Sequence, residues 1–131
     1  MEKVDVLVGW ALPASLMERI SALDPRVHLL NDPYLEIPRP QVWPPFPFPE
    51  QLLPLVPRAQ VIFTSRLPRN VQNLAPDLRW VQLLSAGADV AIGEGLARGT
   101  ILCTTARGVQ TIPISEWVIG AMTALVKRFP K

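Results

Sequence analysis

An α/β fold built on a parallel sheet is predicted by three features of the sequence. Short valine- and leucine-rich runs recur, they alternate with stretches that are apolar at helical spacing, and Pro, Gly and Asp punctuate the joins. Runs that are apolar without strict alternation suit strands buried on both faces, and parallel strands need crossover connections of this kind.

The elements follow in order. VDVLVGW (4 to 10) is a first strand. Pro13 suits a first helical turn, after which Leu16, Ile20 and Leu23 recur at helical spacing until Asp24-Pro25 ends them. RVHLL (26 to 30) reads as a second strand, EQLLPLVPRA as a short helix weakened by Pro54, and VIFTS (61 to 65) as a third strand. RWVQLLS (79 to 85) and ILCTT (101 to 105) are the fourth and fifth. The order predicts a flavodoxin-like, doubly wound parallel sheet of about five strands, a three-layer α/β/α unit over residues 1–107. Residues 108–131 are expected to form a hinge and a helix that leaves this unit.

Residues 33–49 form a proline-crowded insertion. Prolines at 38, 40, 44, 45, 47 and 49 exclude regular sheet or helix and favour polyproline II. Pro44-x-x-Pro47 near Arg39 has the form of an SH3-type ligand, but three large aromatics, Trp43, Phe46 and Phe48, favour a loop folded back over the domain.

The helix expected over residues 112–130 decides the architecture. Pro113 suits its first turn, Glu116 lies near the positive end of its dipole, and Lys127 and Arg128 lie near the negative end. One stripe holds Ile114, Trp117, Val118, Ala121, Met122, Leu125, Val126 and Phe129, while the opposite face carries Ile119, Gly120 and Ala124 with only Ser115 and Thr123 as polar relief. A helix apolar nearly all round needs cover nearly all round. The expected interface residues are Ile114, Trp117, Ala121 and Leu125, and the expected cover is a following domain or a second copy in a homodimer.

Composition narrows the function classes. With 49% hydrophobic and 18% charged residues over 131 positions, the chain belongs with globular domains. Thirteen Lys and Arg against eleven Asp and Glu leave +2, and the basic residues are scattered singly, so the footprint of a nucleic-acid groove is missing. The single cysteine, Cys103, excludes an internal disulfide and a multi-cysteine zinc site, is compatible with a reducing compartment, and reads as a small buried hydrophobe. The start Met1-Glu2-Lys3, with Asp5 close behind, lacks the basic region of a secretion signal, and WVIGAMTALV is half the ~20 residues that cross a bilayer. A cytoplasmic location, no membrane partner and no metal are expected.

LLSAGADVAIGEG raises the question of a nucleotide cradle, since Gly93, Gly95 and Gly99 spell G-x-G-x-x-x-G. A dinucleotide fingerprint needs a strand, glycines at once, and then a helix. Here the glycines run straight into the fifth strand, so a turn between a short helix and a strand explains them better. Ser85-Ala86-Gly87-Ala88 differs, because it lies at the carboxyl end of a strand, where open α/β sheets bind ligands. Small side chains let an anion approach backbone N–H groups. The residues leave two readings open there, a carboxylate cradle and a tight turn needing glycine.

Taken in order, VIFTSRLP, LRWVQLLSAGAD and ILCTTARGVQTIPISEWVIGAMTALVKR resemble the N-terminal half of the NAD(P)-dependent D-2-hydroxyacid dehydrogenases, the group that includes glyoxylate/hydroxypyruvate reductases. The resemblance covers most of residues 55–131. It implies a substrate-binding domain for a small 2-oxo or 2-hydroxy acid, with the backbone at Ala86 and Gly87 receiving the carboxylate and Arg66, Leu67 and Gln110 facing the substrate. It also implies that Arg107 and Gly108 are an interdomain hinge and that the last helix crosses into a Rossmann coenzyme domain holding NAD or NADP. Glu116 matches the family's helix start, here Ile-Ser-Glu, whereas Gln110 and Arg66 depart from the commonest residues. The family's catalytic Arg, Glu and His and its glycine fingerprint lie beyond that helix, so no catalytic residue and no bound cofactor are expected within these 131 residues.

The only histidine, His28, sits between Val27 and Leu29 with no carboxylate neighbour in sequence to orient it, and reads as structural. A free-standing binding or self-associating module is the alternative. A phosphoacceptor receiver would want acids where GWALP and TSRLP stand, and a flavodoxin would want a hydroxyl-rich loop after the first strand.

Overall fold

The computed structural model describes residues 2–32, 35, 47–96 and 99–129. Its centre is a five-stranded, all-parallel sheet in the order β2-β1-β3-β4-β5. The strands are β1 (Val4–Gly9), β2 (Val27–Leu30), β3 (Val61–Thr64), β4 (Trp80–Leu83) and β5 (Leu102–Thr105). This is the flavodoxin-like order, with the reversal between β1 and β3. Each expected run forms its strand, trimmed by one to three residues.

Parallel pairing puts Val6 beside Val61 and Val61 beside Trp80, so residues in phase share a face across the sheet. On one face Leu7, Ile62, Val81 and Leu83 are fully buried. They pack with Leu52 and Val56 of a 3-10 helix over Glu50–Arg58, with Val71 of α2 (Val71–Leu74), and with Ala91 of α3 (Asp89–Gly93). The segment 50–58, expected as a short helix, winds as 3-10 because Pro54 and Pro57 lie inside it and cannot donate backbone N–H groups. Phe48 is buried in this core, as the folded-back loop requires. Trp43, Phe46, Arg39 and the prolines at 38, 40, 44 and 45 lie outside the described residues.

The other face carries α1 (Ala14–Ser21), whose Ile20, together with Leu23 just beyond it, approaches Val4, Val6 and Val8. Helical cover on both faces makes the unit three-layered, though α1 buries no residue completely. After β5, residues 107–110 form a turn with Gly108 at φ +91°, and α4 (Thr111–Lys127) follows. This helix begins one residue before the expected start. It ends earlier than expected because Arg128 turns left-handed at φ 54° and the Phe129 N–H closes back on the Ala124 carbonyl at 3.1 Å. Among the described residues no helix is long and apolar enough to cross a membrane.

Candidate functional site

All five strands run the same way, so the loops after β1, β3, β4 and β5 converge on one edge of the sheet. At β1, Gly9 lies so close to β3 that a Cβ there would be 2.7 Å from Thr64 Oγ1. Thr64 is wholly buried, and its hydroxyl donates to the Arg66 carbonyl at 2.7 Å while accepting the Arg66 N–H at 3.2 Å. That pair of bonds shapes the loop and leaves Arg66 half-buried at the edge. Leu67 is buried and belongs to the hydrophobic core cluster.

At β4 the Leu84 N–H donates to the Thr64 carbonyl at 3.0 Å, extending the pairing by one step. Then the chain turns. Ser85 Oγ donates to the Gly87 carbonyl at 2.8 Å, and Ala86 and Gly87 are exposed. A Cβ on Gly87 would lie 2.7 Å from Asp89 Oδ1. The bond from the Ala106 N–H to the Ser85 carbonyl, 2.9 Å, ties the exit of β5 to this turn. Ala86, Gly87 and Arg66 therefore belong to one edge, with Arg107 and Gly108 in the turn that follows β5.

Gln110 is further along, immediately before α4, and lines a shallow hollow with Pro113, Ile114 and Trp117. That hollow includes none of the strand-end residues. The chemistry available at the 85–88 turn is that of a small, accessible backbone surface beside one carboxylate, Asp89. Charge-assisted bonds from backbone N–H groups to an anion are each worth roughly 1.5–3 kcal/mol, and a neighbouring carboxylate works against them.

Gly93 ends α3, and Gly95, at φ +79°, and Gly99 lie between α3 and β5. A strand follows them, so the helix whose N-terminus would receive a pyrophosphate is not there, and these residues do not fit a dinucleotide.

His28 has a partner that its sequence neighbours do not supply. No carboxylate is near it in sequence, yet parallel pairing sets Asp5 of β1 directly beside it, with His28 Nδ1 2.6 Å from Asp5 Oδ1. Arg58 reaches the other oxygen of Asp5 at 3.3 Å, and the Asp5 N–H is taken by Gln60 Oε1 at 3.1 Å. The signal was the in-phase start of two strands, VDV and VHL, which puts the second residue of each in register. The group lies on the amino half of the sheet. Asp5 is four residues before Gly9, about 13 Å along a strand from the carboxyl edge.

Ile114, Trp117 and Leu125 of α4 are exposed and Ala121 is half-covered. Among the described residues no group of three or more His, Cys, Asp or Glu side chains is placed to hold a metal ion. A scan against models of known protein families and a search of curated proteins find no match to this chain.

Proposed function

We propose that this chain is the substrate-binding domain of an NAD(P)-dependent reductase that acts on small 2-oxo or 2-hydroxy acids, with the 85–88 turn receiving the acid's carboxylate. The observation that carries this reading is the exposed Ala86-Gly87 turn at the carboxyl end of β4, beside the Arg66 loop, in a sheet of order 2-1-3-4-5. The resemblance of three separate segments, in order, to D-2-hydroxyacid dehydrogenases supplies the reaction class by analogy.

In this reading Ala86 and Gly87 bind the carboxylate through the backbone, and Arg66 adds positive charge from the neighbouring loop. Residues 107–108 are the hinge, and α4 is covered by a Rossmann coenzyme domain or by a second copy. The coenzyme, NAD or NADP, belongs on that Rossmann domain, because the glycines of this chain do not fit it. Oxalate, a planar mimic of a 2-oxo acid, tests the site. Calorimetry should detect oxalate binding to the chain, Gly87→Val should weaken it at least tenfold with the circular-dichroism melt preserved, and Asp89→Asn should strengthen it several-fold by removing a like charge. Equal binding by the wild type and Gly87→Val would sink the assignment.

A further inference from the structure

Among the described residues the core holds one buried polar side chain, and it stands at the carboxyl edge of the sheet. Thr64, the last residue of β3, is wholly buried, while the other fully buried strand residues, Leu7, Val8, Ile62, Val81 and Leu83, are all apolar. Valine has nearly the shape of threonine without the hydroxyl, so hydrophobic burial by itself does not call for an oxygen here.

The oxygen serves the loop that follows. A hydroxyl has one proton to give and lone pairs with which to receive. The Thr64 proton goes to the Arg66 carbonyl at 2.7 Å and the same oxygen takes the Arg66 N–H at 3.2 Å, leaving the Gly9 carbonyl, at 3.5 Å, as the longer alternative acceptor. One side chain thus holds both backbone polar groups of Arg66. The main chain of Thr64 is engaged separately, its carbonyl accepting the Leu84 N–H at 3.0 Å on the way to the 85–88 turn. Removing the hydroxyl therefore releases Arg66 and keeps the pairing that leads into the turn.

Arg66 is half-buried, and among the described residues no carboxylate is paired with it, whereas Arg26 and Arg58 are each engaged by an aspartate. A flexible cation binds an anion better when its backbone is already fixed, since less freedom is lost on binding.

We propose that Thr64 is a positioning residue for the acid site, its buried hydroxyl fixing the Arg66 backbone so that the guanidinium is presented to an anion bound at the 85–88 turn. The inference rests on the carboxylate reading of that turn, and adds to it the residue on which the arginine's contribution depends.

A double-mutant cycle read by oxalate calorimetry tests it. Thr64→Val should weaken oxalate binding roughly five- to tenfold, and Thr64→Ser, which keeps the hydroxyl, should stay within about twofold of the wild type even though its melt falls with the lost methyl. Arg66→Gln should weaken binding by a similar factor, and adding Thr64→Val to it should weaken binding no further. Thr64→Ala, which removes the hydroxyl without placing a methyl beside Gly9, takes the place of the valine variant should that one fail to fold.

Gly87→Val separates this role from the reading beneath it. Oxalate binding that is lost in Gly87→Val and unchanged in Thr64→Val keeps the turn and overturns the positioning role. So does a loss on Thr64→Val that is just as large in the Arg66→Gln background, which marks a general loosening of the edge, or a loss in Thr64→Ser equal to that in Thr64→Val. A wild-type chain that binds no oxalate removes the carboxylate reading and this role with it.

Discussion

At Gly9 the missing Cβ is a packing requirement. A methyl there would meet Thr64 Oγ1 at 2.7 Å and Thr64 Cβ at 2.9 Å, and Thr64 is wholly buried and committed to the Arg66 turn. Gly9→Ala should therefore cost about 1–3 kcal/mol, the range for overpacking, read as a lower urea midpoint with an unchanged slope. Asp24 shows the opposite situation, a bond to a close neighbour in sequence near the surface. The Arg26 side chain, and then the Arg26 backbone N–H, hold its carboxyl down from 3.8 to about 2. A lowered carboxyl pKa contributes stability that is present above 3.8 and is lost as pH falls toward 2. The NMR titration of the Asp24 carboxyl should move back toward 3.8 in Arg26→Ala. Both residues stand in plain view in the sequence, yet only Asp24 declares its partner, which is two positions away. Gly9 and Thr64 are 55 apart.

Among the elements, a central strand and the outer side of a short helix differ in what they tolerate. Ile62 of β3 is fully buried in the packed core, so Ile62→Ala should cost about 2–5 kcal/mol. Ile92 of α3 is 61% exposed, so Ile92→Ala should change stability by no more than about 0.5 kcal/mol. Chemical denaturation of the two variants checks the contrast. The five strands and the long last helix were legible because each is a run of like residues with its own stop signals. The four-residue α2 was not, since Val71–Leu74 is too short to display a period and its left-handed Asn70 carries no distinctive signal. Leu67 was expected to face a substrate by analogy with a loop, and its burial follows from the way Thr64 bends that loop.

For the whole molecule, the proposed reaction places an upper limit on what these residues do alone. Hydride transfer needs a bound nicotinamide and a positioned proton donor. The single imidazole, His28, is engaged by Asp5 on the amino half of the sheet, about 13 Å along the strand from the edge where the acid would bind. The chain mixed with NADH and glyoxylate should oxidise no coenzyme above the blank, and turnover would show that catalytic groups were overlooked.

Order along the chain, the parallel sheet and the unusual apolarity of α4 were determined by the sequence itself. Each depends on residues close together, where period, proline and glycine act directly on the backbone. What only the tertiary structure decided involves residues brought together by strand pairing: Asp5 beside His28, Gly9 against Thr64, and the open groove between α1 and β4. No local pattern encodes those neighbours, because register and the face left uncovered are settled by how strands far apart in the chain pair.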